Sequence, residues 1–268
     1  MSRTERATFP KRFGVTLLAG VPGIFVLSGY IYLTTPPTAI PAGLSLPLLA
    51  VSAGVNSLLL LAVACLIGTY TAPRVELRSY LLDWAETGDD VWRRLRSEVR
   101  FAVSLGVIGG LLILLLDVAL APFVAQDLPQ SALGATDATM ENVVAYAPVR
   151  FLYGGITEEL LLRYGLMSAI AFIGWFLTGR QSDGPGSKVM WVAVVISAVL
   201  FGIGHLPALA RSVDLTPALA ARTILLNAIA GVLFGWLYWQ RSLEAAMVAH
   251  AAFHVPLVAL SLVQVILL

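Results

Sequence analysis

Gly154-Gly155-Ile156-Thr157-Glu158-Glu159-Leu160-Leu161-Leu162-Arg163-Tyr164 is the stretch on which the reading of this chain turns. It lies inside a run from about Val149 to Leu177 that is otherwise apolar and long enough to cross a bilayer. Each ionised side chain near the bilayer centre costs roughly 2.5–3.5 kcal/mol on insertion scales. Two adjacent carboxylates and an arginine therefore do not face lipid; they look at protein or at a water-filled cavity. An intramembrane ionisable cluster of this kind marks a functional site by default.

At about 100° per residue, Glu159 and Arg163 are one turn apart on nearly the same face. Acid before base at i,i+4 is the order in which a salt bridge forms within one helix. Glu158 points about 100° away from Glu159 and about 140° from Arg163. The expectation is that Glu159 and Arg163 largely satisfy each other, leaving the Glu158 carboxylate for chemistry. The bland alternative is a buried packing network shared with other helices.

The whole chain supports a membrane reading. Its 268 residues are 58% hydrophobic and only 12% charged, with a mean hydropathy of +0.85, whereas a soluble domain carries about 25% charged residues. A net charge of +1 gives no basic face for a nucleic acid. With Cys65 alone, an intrachain disulfide is excluded and a cysteine-based metal site is not expected. The expected architecture is an all-α, polytopic bundle of about seven spans, or eight, enclosing a polar cavity. No linker separates a second domain, so 1–268 reads as one integral membrane domain with its motif-bearing core at about 149–260.

The spans are expected at about 13–33, 46–68, 101–121, 149–177, 189–206, 221–239 and 243–268. The first lacks a short apolar region with a small-residue cleavage site and reads as an uncleaved helix. Pro122 and Pro129 mark the exit of the third, and Asp117 near its end is expected only to snorkel. The stretch 131–148 is a candidate short interfacial helix.

Arg3, Arg6, Lys11, Arg12, Arg74, Arg78, Arg93, Arg94, Arg96, Arg100, Arg180, Lys188 and Arg241 fall on alternate connections. The opposite loops 34–45 and 122–148 carry no basic residue, and 207–222 carries Arg211 and Arg222. That asymmetry places the N-terminus in the cytoplasm. The connection 69–100 also carries six acids, so it is no polybasic lipid clamp. Leu81, Leu82, Trp84, Val91, Trp92 and Leu95 suggest an amphipathic helix in the interface, or equally a solvated loop helix. Gly231-x-x-x-Gly235 reads as a small-residue face against a neighbouring helix. Trp236, Tyr238 and Trp239 read as an interfacial belt. Gly154-Gly155 reads as a close helix approach or a distortion that aims Glu158.

The only three histidines, His205, His250 and His254, all fall in or at the edge of apolar spans downstream of the Glu-Glu helix. His250 and His254 are one turn apart and share a face. A lone buried histidine is usually a satisfied core residue; all three beside a Glu-Glu-Arg cluster point to one site. Glu158 can act as general base on a water while a histidine shares the proton or holds that water. The other histidines can donate to an oxyanion. The same set can instead bind zinc, with Glu158, His205, His250 and His254 as ligands. One tension stands: His205 falls near the far side of its span and His250 near the opposite end of its own, so convergence needs a tilted or broken helix. Gly202, Gly204 and Pro207 supply a place for one.

Glu158-Glu159-x-x-x-Arg163, Phe201-x-x-x-His205 and His250-x-x-x-His254, in this order, resemble the motifs of the CPBP (CAAX-protease and bacteriocin-processing, or Abi) family of intramembrane proteases. The resemblance covers about 149–260; residues 1–148 add only generic spans. It implies Glu158 as catalytic glutamate activating water with His205, Glu159 and Arg163 as a supporting pair, and an oxyanion site at His250 and one turn on. That last position, usually Asn or Asp, is His254 here. The resemblance implies a peptidase like the CAAX prenyl endopeptidase, acting on a membrane-associated or lipidated protein or peptide among membrane lipids. It implies a glutamate mechanism with no required cofactor, zinc being the alternative. A proton-coupled transporter would also place Glu and His in spans, but every histidine converges on one site and the halves show no repeat. A non-catalytic binding or immunity protein is the third class.

Overall fold

The computed structural model describes residues 3–88, 90–127, 139–180, 184–211 and 213–267, with side chains from residue 9 onward. The described residues are helical and contain no strand, and 7 helices are long and apolar enough to cross a membrane. In chain order they are α1 (Arg3–Thr34), α2 (Leu46–Thr71), the short α3 (Tyr80–Thr87), α4 (Trp92–Val124), α5 (Met140–Leu177), α6 (Ser187–Gly204), α7 (Pro217–Gln240) and α8 (Leu243–Leu267). All but α3 are spans.

The seven expected spans are present, but α1, α4 and α5 each start well before the residue that hydropathy indicated, at Arg3, Trp92 and Met140. The helix α4 begins at Trp92 because Arg93, Arg94, Arg96, Glu98 and Arg100 end the apolar run without ending the helix; straight-chain residues are good helix formers. It also continues through Pro122 to Val124, so Pro122 does not mark its exit, and Pro129 lies outside the described residues. The stretch 140–148 is no separate interfacial helix: it runs directly into residue 149 as the first turns of α5, while 131–138 lie outside the described residues. The amphipathic helix expected across 81–95 is two pieces, because Gly88 at φ +73 ends α3 and α4 restarts at Trp92. Leu82 is buried, but Trp84 and Trp92 are exposed.

Start signals are local. Ser45, Ser79, Thr139 and Thr216 each accept a bond at their helix N-terminus from the backbone of the residue three positions on. Asp117 does not merely snorkel: it forms an ion pair with Arg222 on α7, a residue that lies inside that helix and not in the preceding loop. Thr216 donates to Asp127 at 2.8 Å, a second tie at the same end of the molecule.

The helix α5 runs between α1 and α2 on one side and α8 on another, with α6 and α7 completing its surround. Small residues allow these approaches. A Cβ on Gly165 would sit 2.6 Å from Ala64 on α2, and one on Gly231 would sit 2.8 Å from Ala198 on α6. Gly235 faces Val194, so the Gly231/Gly235 face packs α7 on α6 within the bundle. The core it closes contains Leu61, the free thiol Cys65, Leu160, Tyr164, Met167 and Phe234. Tyr238 is fully buried and belongs to this core, not to an interfacial belt. Trp239 meets Trp191 edge-on at 5.7 Å and Trp236 faces Phe101 at 6.5 Å.

Candidate active site

The middle of α5 is not an ordinary α-helix. Across Val149–Glu158 and again across Leu160–Met167 its backbone is wound with the wider i→i+5 bonding. Such winding is rare and concentrates at functional sites. Two sequence features favour it. Pro148 withholds a donor and crowds the carbonyl four residues back, and Gly154-Gly155 has no Cβ where α8 comes closest. A Cβ on Gly154 would lie 3.0 Å from His254 Nε2, and one on Gly155 would lie 3.0 Å from Ala251. The glycine pair is thus both a close approach and part of the distortion.

The winding corrects the azimuths expected of a regular helix. With more residues per turn, adjacent side chains diverge by less than 100°. Glu158 and Glu159 consequently both reach one imidazole. His250 Nδ1 lies 2.7 Å from Glu159 Oε1 in a hydrogen bond, while His250 Nε2 lies 4.0 Å from Glu158 Oε2. Nδ1 is the donor to the carboxylate, so Nε2 of the neutral ring presents a lone pair towards Glu158. Both Glu159 and His250 are buried, whereas the Glu158 side chain keeps 19% of its exposure. Glu158 makes no hydrogen bond among the described residues.

Glu159 and Arg163 do pair, with Nε 3.4 Å from Oε2, but each has a stronger commitment elsewhere. Glu159 is bonded to His250; Arg163 donates from Nη2 to the Gly231 carbonyl at 3.0 Å. The guanidinium lies over Phe201 at 4.8 Å and Phe234 at 5.5 Å, a cation–π sandwich inside a fully buried site. Phe234 also stacks on His250, with centroids 4.3 Å apart and planes 17° apart. Phe234 and the Gly231 carbonyl are the parts that the sequence motifs do not name, and Phe201 enters them without a role. A signal exists, since Phe234 lies within Gly231-x-x-x-Gly235, but small-residue spacing by itself points only to packing.

His254 joins the cluster through its ring, 5.1 Å from that of His250, and its buried Nδ1 has no protein partner. His205 stands at the edge. The helix α6 stops at Gly204, and the short turn Leu206–Leu209 with Pro207 carries the chain away, which is the expected break. His205 Nδ1 lies 2.8 Å from the Phe201 carbonyl, and Phe201 meets the rings of His205 at 4.6 Å and His250 at 5.9 Å. Phe201 thus links His205 to the cluster, while His205 has no hydrogen bond to Glu158 among the described residues.

Glu158, His205, His250 and His254 are not drawn together as a four-ligand metal shell in this structure. Among the described residues no three His, Cys, Asp or Glu side chains are grouped to hold a metal ion. What the arrangement can do is move protons: one carboxylate that makes no hydrogen bond among the described residues faces an imidazole whose other nitrogen is clamped by a second, buried carboxylate.

Residues 140–255 match the family model described as type II CAAX prenyl endopeptidase Rce1-like. The match begins where α5 begins and contains Glu158, Glu159, Arg163, His205, His250 and His254. No curated protein and no solved structure matches the chain.

Proposed function

We propose, on the match of residues 140–255 to the Rce1-like family model, that this chain is a glutamate-dependent intramembrane endopeptidase of that family. The observation that carries the proposal is the Glu158–His250–Glu159 relay: Glu158 without a hydrogen-bond partner, 4.0 Å from an imidazole held at 2.7 Å by Glu159. A separation of 4.0 Å is too long for a direct hydrogen bond, yet it lets both atoms contact one water.

Glu158 takes a proton from that water, and the hydroxide so formed attacks the scissile carbonyl. His250 shares the proton through Nε2, and the imidazolium it becomes is stabilised by the Glu159 carboxylate. The tetrahedral oxyanion receives a hydrogen bond from His254. The proton then passes to the leaving amine as the C–N bond breaks, restoring Glu158. His205, whose Nδ1–H donates to Phe201, offers Nε2 as an acceptor and orients the water. His250 is in this scheme a proton carrier more than an oxyanion donor, because both its nitrogens are turned to carboxylates.

The substrate is a membrane-associated protein or peptide of the CAAX class, reached from within the bilayer. The N-terminus is cytoplasmic, which the clustering of basic connections supports: Arg12 pairs with Glu86 and Arg94 with Asp83 at one end of the bundle.

Purified chain in detergent, given a quenched fluorogenic prenylated peptide, tests this. Wild type should cleave with a strong chelator present, and Glu158→Gln should lose about 10²–10⁴-fold in kcat. Stoichiometric zinc, with activity lost to chelator, would replace the scheme by a metalloprotease. Cleavage that survives Glu158→Gln would remove Glu158 from it.

A further inference from the structure

A second polar feature lies next to the Glu-His cluster and takes no part in the relay. Between α1, the start of α5 and the second half of α8 is a cavity of about 160 Å³ whose walls include Tyr30, Asn142, Tyr146, Arg150, Val258 and Ser261. It is far larger than one water requires. Arg150 is its cation. The guanidinium lies 5.0 Å over the Tyr146 ring, which itself meets Tyr30 at 4.9 Å. Its Nη1 is buried without a hydrogen-bond partner, and Arg150 pairs with no acid among the described residues. An intramembrane arginine lacking both a carboxylate and a complete set of acceptors is costly and calls for a ligand.

The cavity and the catalytic cluster share two helix faces. On α5, Tyr146, Arg150, Gly154 and Glu158 recur every four residues; on α8, His250, His254, Val258 and Ser261 follow the same helical spacing. The two sites therefore follow one another along the same faces of α5 and α8, with Gly154 and His254 between them in the spacing. Eight helical residues from Glu158 back to Arg150 rise about 12 Å, or somewhat less where the winding is wider. An extended peptide advances about 3.3–3.6 Å per residue, so three residues beyond the scissile bond reach about 10–11 Å. A planar guanidinium with free donors matches a carboxylate in bidentate fashion.

Resting on the peptidase reading above, we propose that Arg150, walled by Tyr30 and Tyr146, binds the terminal α-carboxylate of a substrate cut about three residues from its C terminus. Arg150 thereby measures the distance from chain end to scissile bond and makes the enzyme selective for free C termini.

The test compares one farnesyl-cysteinyl tetrapeptide, extended at its N-terminus by a fluorophore, as the free acid and as the carboxamide. Wild type should favour the acid in kcat/KM by about 10–100-fold, the worth of one or two hydrogen bonds to a charged group. In Arg150→Gln that ratio should fall to near one, and Arg150→Lys should keep part of it. The ratio is internal to each preparation, so loss of folded protein does not mimic the result. The same pair of peptides is titrated against Glu158→Gln, with and without Arg150→Gln, to read binding without turnover. A wild-type ratio near one, or an unchanged ratio in Arg150→Gln, would overturn the carboxylate site while leaving the peptidase intact. Arg150-dependent preference for the acid in binding, without any Glu158-dependent cleavage, would uphold the site and overturn the peptidase. Binding that follows the anionic lipid content of the micelle, and not the peptide's end group, would assign Arg150 to a headgroup phosphate and also overturn the proposal.

Discussion

Glu159 holds His250: Oε1 lies 2.7 Å from Nδ1, with both side chains buried and Phe234 stacked on the imidazole. A carboxylate so placed fixes the ring's orientation and its tautomer, directing the other nitrogen to Glu158. Glu159 is a positioning residue, and Glu159→Asp isolates that role. The shorter side chain keeps a negative charge near Arg163 but withdraws the oxygen by about the length of one C–C bond. A misplacement of about 1 Å at a reacting group can cost 10²-fold. We expect kcat to fall by about that factor with KM changed by less than about threefold. A parallel loss in KM, or a collapse of thermal stability matching Glu159→Ala, would make Glu159 merely structural.

Part of this was readable from the chain alone. Spacing identified the Glu159–Arg163 pair and the unpaired Glu158, because both depend on neighbours within one helix. Interhelical partners were not readable. That Glu159 would bond His250, that Arg163 would reach the Gly231 carbonyl, and that Asp117 would meet Arg222 depend on which faces of distant helices oppose each other. Periodicity fixes a face only relative to its own helix. Gly154-Gly155 signals a distortion of α5, but the extent of the wide winding, from Val149 to Met167, is not written in two glycines and Pro148. Helix ends failed where charge and helix propensity disagree, as at Arg93–Arg100.

Arg163 tests the electrostatics of the buried cluster. Removing one partner of a buried ion pair typically costs about 3–5 kcal/mol, because the other charge is left without compensation. Arg163→Met strands Glu159 and is expected to lower the midpoint of thermal unfolding in detergent sharply. The double variant Arg163→Met/Glu159→Gln removes both charges and should recover much of that loss without recovering activity. A double variant no more stable than the single one would show that the Gly231 bond and the Phe201 and Phe234 contacts carry the stability instead.

Gly154 and Gly155 should separate activity from stability. Alanine favours a helix over glycine by about 1 kcal/mol, and at Gly154 the added Cβ meets the His254 Nε2 at 3.0 Å and the His250 Nε2 at 3.6 Å. Side chains can yield by a few tenths of an ångström, so Gly154→Ala should fold and melt near wild type. Its kcat should drop about tenfold or more through the displaced imidazoles. At Gly155 the neighbours are the Cα and backbone nitrogen of Ala251 at 3.3 Å, which cannot yield without moving α8. Gly155→Ala should therefore lose stability first. Differential scanning fluorimetry with peptide cleavage reads both, and equal melting of the two variants would refute the distinction.

A final prediction concerns the end of the bundle where α8 begins. Glu244 accepts from the Ser79 hydroxyl at 2.6 Å and from the backbone of Tyr80 and Leu81, both at 2.9 Å, so it occupies the N-terminus of α3. Beside it the buried Glu98 accepts from Tyr80 and Ser242 at 2.9 Å each, and the Leu243 N–H donates to the Arg78 carbonyl at 3.0 Å. Burial and the Glu98 hydrogen bond both raise the Tyr80 hydroxyl above its usual pKa, so it remains a donor at neutral pH. Together these bonds fasten the α2–α4 connection to the first turn of α8, six residues before His250. In Glu244→Gln an amide NH₂ replaces one acceptor and confronts donors, leaving a buried group unsatisfied at about 1–3 kcal/mol. The expected outcome is earlier thermal unfolding and faster proteolysis within 72–91, with kcat held within about threefold because the relay on α5 and α8 is untouched. If kcat falls with stability unchanged, the lock sets the position of His250 along α8, and Glu244 acts on the chemistry through it.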